Sequence, residues 1–172
     1  PFAKRTVEGD LGVFANRENL ISLLGKEAIQ KRLRLTFEEL ERLLSEYEKI
    51  PSPEQIPLTE LLAEGALAEA VKRHAGRIIN LYGGSGKTQA AEGKDLTGVK
   101  NFIATGGALT RLPNGRMIIE RFLDKKNPGL LLPEGEVKVL LDRDYVMAAL
   151  GTFADRYPEA AAKLALKSLE VS

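Results

Sequence analysis

The sequence predicts an α/β chain, mostly helical with a few strands, and three stretches of its 172 residues carry that expectation. Between residues 17 and 57, Leu and Ile recur at helical spacing among charges of both signs, and Thr36 with Glu39 makes a capping box. From Val99 to Ala104 a near-continuous apolar run, with Phe102 and Ile103 in it, suits an interior strand covered on both faces. Val137, Val139 and Leu141 alternate with Lys138 and Leu140 as in a second strand, expected beside the first.

Composition sets the outer bounds. The length suits one domain, or one lobe of a larger protein, and is enough to bury a core without staples. There is no cysteine and a single histidine, so disulfides, thiolate chemistry and a His-based metal cluster are excluded. Lys and Arg number 25 against 24 Asp and Glu, which removes the basic excess that nucleic acid or an anionic membrane surface requires. No apolar stretch approaches a membrane span, and charges run through residues 1–20 where a signal peptide needs an apolar centre. A soluble, cytoplasmic protein is the expectation.

The chain starts at Pro1 without Met, as expected of a segment excised from a longer parent. Thr6-Val7 reads as the end of a strand, and Glu8-Gly9-Asp10-Leu11-Gly12 as a turn presenting two carboxylates. An ordinary turn with Asp10 bonded to nearby backbone reads equally well. Leu20, Leu23 and Leu24 share one face of a short helix ending near Gly25, and Ala28 to Leu35 forms another. The capped helix after Thr36 carries Phe37, Leu40, Leu43, Leu44, Tyr47 and Ile50 on one side, until the proline-rich stretch Pro51 to Pro57 ends it. From Thr59 to about Tyr82 the spacing of Leu67, Val71, His74, Ile78 and Leu81 predicts the longest helix, with His74 as a core or boundary residue.

Leu81 to Thr88, LYGGSGKT, is not a P-loop: Leu81 stands where the pattern needs Gly, and a strand-to-helix context is missing. A Gly/Ser turn is expected there. The Gly pair at 106–107 lets the backbone turn sharply and exposes N–H donors at a helix start; equally, such a pair serves only to pack the helix tightly against its own sheet. Met117 to Leu123 fits a short helix or strand, and Asn127 to Gly129 and Pro133 to Gly135 fit loops. Asp142 or Asp144 can cap a helix from Tyr145 to Arg156. Tyr157-Pro158 then opens a last helix, packed through Ala160, Ala161, Leu164, Ala165 and Leu169.

Four motifs carry a resemblance: TVEGDLG at Thr6 to Gly12, RHAG at Arg73 to Gly76, GKDLTGVKNFIATGG at Gly93 to Gly107, and the Tyr157-Pro158-Glu159-Ala160-Ala161 tail. Together they resemble the glutamate mutase accessory family called MutL or GlmL, which is unrelated to the mismatch-repair protein sharing the first name. GKDLTGVKNFIATGG with the following ALTRLPNG also resembles the adenosine-binding segment of the acetate and sugar kinase, heat-shock chaperone and actin superfamily. The resemblance implies the C-terminal portion of a ribonuclease-H-like ATPase lobe, with residues 17–57 as a helical insert and 58–172 as the lobe. It implies ATP and Mg2+ in the intact parent, and an adenosylcobalamin-dependent mutase as partner, with a chaperone-like exchange of damaged cofactor. Thr105, Gly106, Gly107 and Ala108 would lie against adenosine, and Glu8 or Asp10 would face the phosphates or the ion's water shell. Leu150-Gly151 resembles the superfamily's second connecting motif. Glu69, Lys72 and Arg73 match the spacing of an adenosine-contacting helix, a spacing that any solvated helical face also carries. No catalytic residue and no direct metal ligand is assigned, and the segment alone is not expected to be a competent ATPase. Two alternatives stay open: a lobe of a metabolic kinase of the same superfamily, and a non-catalytic helical interaction module.

Overall fold

A computed structural model describes residues 8–84, 86–125 and 127–169. The strand end expected at Thr6-Val7 lies outside the described residues. Backbone contacts divide the chain into two compact units, Pro1–Asp95 with Gly129–Leu131, and Leu96–Pro128 with Leu132–Ser172. About half of the described chain is helical, with four short strands, so the α/β expectation holds.

The first unit is built on helices α1 (Arg17–Leu24), α2 (Lys26–Leu33), α3 (Phe37–Ser45) and α4 (Ile56–His74). Gly25, at φ 81°, ends α1 and starts α2, a backbone conformation in which a side chain would be strained. The capping box forms as expected: the Glu39 N–H donates to Thr36 Oγ1 at 3.2 Å, and the Thr36 N–H donates to Glu39 Oε2 at 2.7 Å. Leu20, Ile29, Leu40, Leu58 and Leu62 are fully buried in one core. Phe37 and Ile50, at the two ends of the predicted stripe, are 55% and 82% exposed, so the packed face of α3 is shorter than its periodicity. The stretch between α3 and α4 is held from inside by Gln55, whose amide donates to the Glu46 carbonyl at 2.6 Å and accepts from the Ser52 N–H at 3.2 Å.

The long helix predicted to Tyr82 stops at His74. Strand β1 (Arg77–Gly83) follows and pairs antiparallel with β2 (Gly86–Glu92). The cause is at Gly76, whose N–H donates to the Lys94 carbonyl at 2.6 Å and whose own carbonyl accepts from Leu131 at 2.7 Å. A β-carbon on Gly76 would meet the carbonyl oxygens of Glu92 and Lys94 at 2.8 Å, so only glycine lets the two backbones cross there. The described residues of LYGGSGKT belong to this hairpin, with Leu81 opposite Thr88 and Gly83 opposite Gly86, and the next described element is a strand rather than a helix. The refusal of a P-loop therefore stands.

In the second unit, β3 (Asn101–Ala104) leads through the Gly pair into the one-turn helix α5 (Gly107–Thr110), and α6 (Gly115–Asp124) follows. Strand β4 (Lys138–Leu141) pairs parallel with β3, Phe102 opposite Val139 and Ala104 opposite Leu141. The pairing agrees with expectation. The interior position does not: among the described residues β3 has β4 as its one neighbour, and Ile103 is 48% exposed. Helices α7 (Met147–Ala154) and α8 (Pro158–Ser168) complete the unit. Of the face expected on and just beyond α8, Ala161 and Leu169 are buried, whereas Leu164 is 47% exposed.

No described helix is long and apolar enough to cross a membrane.

Candidate functional site

Parallel strands bring their C-terminal ends to the same side, and in open α/β sheets that side is where ligands meet loops and helix starts. At that end of β3 the backbone passes from buried Ala104 to exposed Thr105, and Gly106 takes φ 95° and ψ 143° to enter α5. The turn is pinned on both flanks. Thr110 Oγ1 donates to the Gly106 carbonyl at 2.9 Å, and Thr105 Oγ1 donates to Asp142 Oδ2 at 2.9 Å. A β-carbon added at Gly106 or Gly107 would have no atom within 4 Å, so neither glycine is there for internal packing. Gly106 is required by its positive φ, whereas Gly107 is free of both constraints. The two glycines thus face open space, with Thr105 exposed and Ala108 half-buried on either side of them.

Asp142 sits at the matching end of β4 and is completely buried. Sequence reasoning named it only as one of two helix caps. It does cap α7, accepting from the Val146 and Met147 N–H groups at 3.1 Å each, but it also accepts from Thr105 and, at 2.5 Å, from Ser168 Oγ of α8. Burial alone would push this carboxyl up; the hydrogen bonds from Ser168, Met147, Val146 and Thr105 outweigh that and hold it below its ordinary value.

The other two predicted residues belong to the first unit. Glu8 Oε2 and both Asp10 oxygens accept from Arg73 Nη1 at 2.8–2.9 Å, and Glu69 Oε1 accepts from Arg73 Nε at 3.0 Å. The hydrogen bond from Arg73 lowers the Asp10 pKa, and the carboxylates raise that of the guanidinium. Arg73, set aside in the sequence as a solvated helical residue, is therefore what organises the two carboxylates. Arg73→Met is expected to let Asp10 titrate back up toward its ordinary value in a carboxyl NMR titration; an unchanged titration would show that the guanidinium does not set it.

A separate cleft of about 560 Å3 runs along β4, lined by Lys138, Val139 and Leu140 with Arg116, Glu120 and Asp124 of α6, and does not include the Gly-Gly turn.

The family model described as MutL protein matches residues 1–169. The chain belongs to the MutL family. A relative, Protein MutL of Clostridium tetanomorphum, is 33% identical over 98% of this chain, and this MutL-family chain spans 38% of that protein's length. No solved structure matches it. All four motifs quoted from the sequence fall within the matched MutL region, including the Gly-Gly turn and the Glu8–Asp10 loop.

Proposed function

We propose that this chain is the C-terminal lobe segment of an ATP-binding accessory or reactivating protein for an adenosylcobalamin-dependent mutase of the glutamate mutase type. It contributes the adenosine side of a nucleotide cleft in a ribonuclease-H-like ATPase lobe. Membership of the MutL family supports the class of protein, and the open Gly106-Gly107 turn is the observation that carries the nucleotide. Two glycines without side chains, facing open space at the C-terminal end of a parallel strand, suit a nucleoside lying against backbone.

For Glu8 and Asp10 of the first unit, considered by themselves, the family resemblance suggests a role toward phosphate. Their oxygens are of the hard type Mg2+ takes, but Arg73 already bonds both, and no cluster of three or more His, Cys, Asp or Glu able to hold a metal occurs among the described residues. They fit an outer role toward phosphate or the ion's water shell and do not fit direct ligation.

Gly107→Val tests the reading in the full-length protein. Because a β-carbon at Gly107 meets open space and the backbone is unstrained, the variant is expected to fold. Affinity for an ATP analogue should fall at least about tenfold, since each 1.4 kcal/mol of lost contact is a factor of ten. Calorimetric titration decides it, and wild-type affinity in the folded variant would remove the adenosine assignment.

A further inference from the structure

Asp142 links three separate pieces of the second unit. Each of its oxygens takes two donors: Oδ1 accepts from Ser168 Oγ and the Val146 N–H, Oδ2 from Thr105 Oγ1 and the Met147 N–H. Ser168 is itself buried and fixed, its hydroxyl accepting from the Asp144 N–H at 3.0 Å and its carbonyl from the Arg143 N–H at 3.1 Å. The α8 and α7 connections thus reinforce one another. Thr105 is different, because it is exposed and leads into a helix of a single turn, which has little stability of its own. Its hydroxyl is a tether between a rigid buried carboxylate and a turn whose two glycines face open space.

We propose that Asp142 is a positioning residue for the Gly-Gly turn, fixing it through Thr105 in the arrangement a nucleoside requires. The inference rests on the nucleotide reading for its ligand, but not for its geometry. An acceptor with four filled positions cannot rotate without breaking other bonds, so Thr105 inherits the rigidity of α7 and α8. Removing the Thr105 hydroxyl frees the turn while leaving Ser168, Val146 and Met147 bonded.

Two readouts on the full-length protein test this. The Thr110 and Arg111 N–H groups donate to the carbonyls of Gly106 and Gly107 at 3.1 and 2.9 Å, so their hydrogen exchange reports on the turn. The Leu150 N–H donates to the Val146 carbonyl at 2.8 Å and reports on the start of α7. Thr105→Val should speed exchange at Thr110 and Arg111 about tenfold, leave Leu150 unchanged, and weaken binding of an ATP analogue about tenfold. Thr105→Ser should restore both. Ser168→Ala should lower the melting temperature without reproducing the turn-specific pattern. Unchanged exchange in Thr105→Val, or the same pattern in Ser168→Ala, would overturn the proposal. If the wild type binds no ATP analogue, the nucleotide reading fails, and the exchange data still decide whether Asp142 positions the turn.

Discussion

Gly115→Ala is expected to destabilise the second unit by about 3 kcal/mol or more, at the upper end of what overpacking costs. A β-carbon at this buried position would lie 2.0 Å from the Leu109 carbonyl oxygen and 2.8 Å from its carbon. The obstacle is backbone, so no rotamer change relieves it. Either the end of α5 with residues 111–112 or the start of α6 must move, and the two are tied by the Gly115 N–H donating to the Leu112 carbonyl at 3.1 Å. The better helix propensity of alanine returns only about 1 kcal/mol. Gly107→Ala is the matched control, since its β-carbon meets nothing within 4 Å, and its stability should stay within about 1 kcal/mol of wild type. Denaturant unfolding followed by circular dichroism compares the two. Equal midpoints would mean that the Leu109 contact is easily relieved.

Asp142→Ala should cost about 3–5 kcal/mol, because two hydroxyls and two N–H groups lose their acceptor inside the unit. Asp142→Asn keeps the shape but turns an NH2 toward donors, so its loss should be of similar size. The contribution also has a pH signature. The folded carboxyl is held below its ordinary value, so the native state favours the ionised form more than the unfolded chain does. The stabilisation is complete above about pH 4 and disappears as pH falls through the lower folded value. The stability gap between wild type and Asp142→Asn should therefore be constant from neutral pH to about pH 5 and close below about pH 4. A gap independent of pH would mean that the carboxylate charge plays no part.

Local signals were legible and distant ones were not. The Thr36 capping box, the two parallel strands and the Gly-Gly turn follow from residues within a few positions of each other, where propensity and periodicity act. The hairpin was hidden because Ile78 and Leu81 continue the helical spacing of Leu67, Val71 and His74. Its second strand, GKTQAAE, has Thr88 as its one β-branched residue and offers little strand signal of its own. Among the site residues, the Gly106-Gly107 turn could be read from the sequence, but an open turn could not be told from a packed one, and the partners of the acids could not be read at all. Arg73 reaches Glu8 across 65 positions and Ser168 reaches Asp142 across 26, and nothing in the local pattern marks either pair. Asp142 left one hint, its place just before a predicted helix, and that accounts for only half of its bonds.

The exposed flank of β3 has a practical consequence for anyone who produces this segment alone. Among the described residues β3 has one strand partner, which leaves backbone donors and acceptors on its other side without a described strand beside them, and Ile103 adds apolar surface there. Such a margin is a template on which another extended chain can add, and no Pro or strand bulge interrupts Asn101–Ala104 to discourage it. The isolated segment is therefore prone to self-association through this strand, and a lysine at position 103 is the change most suited to keeping it monomeric.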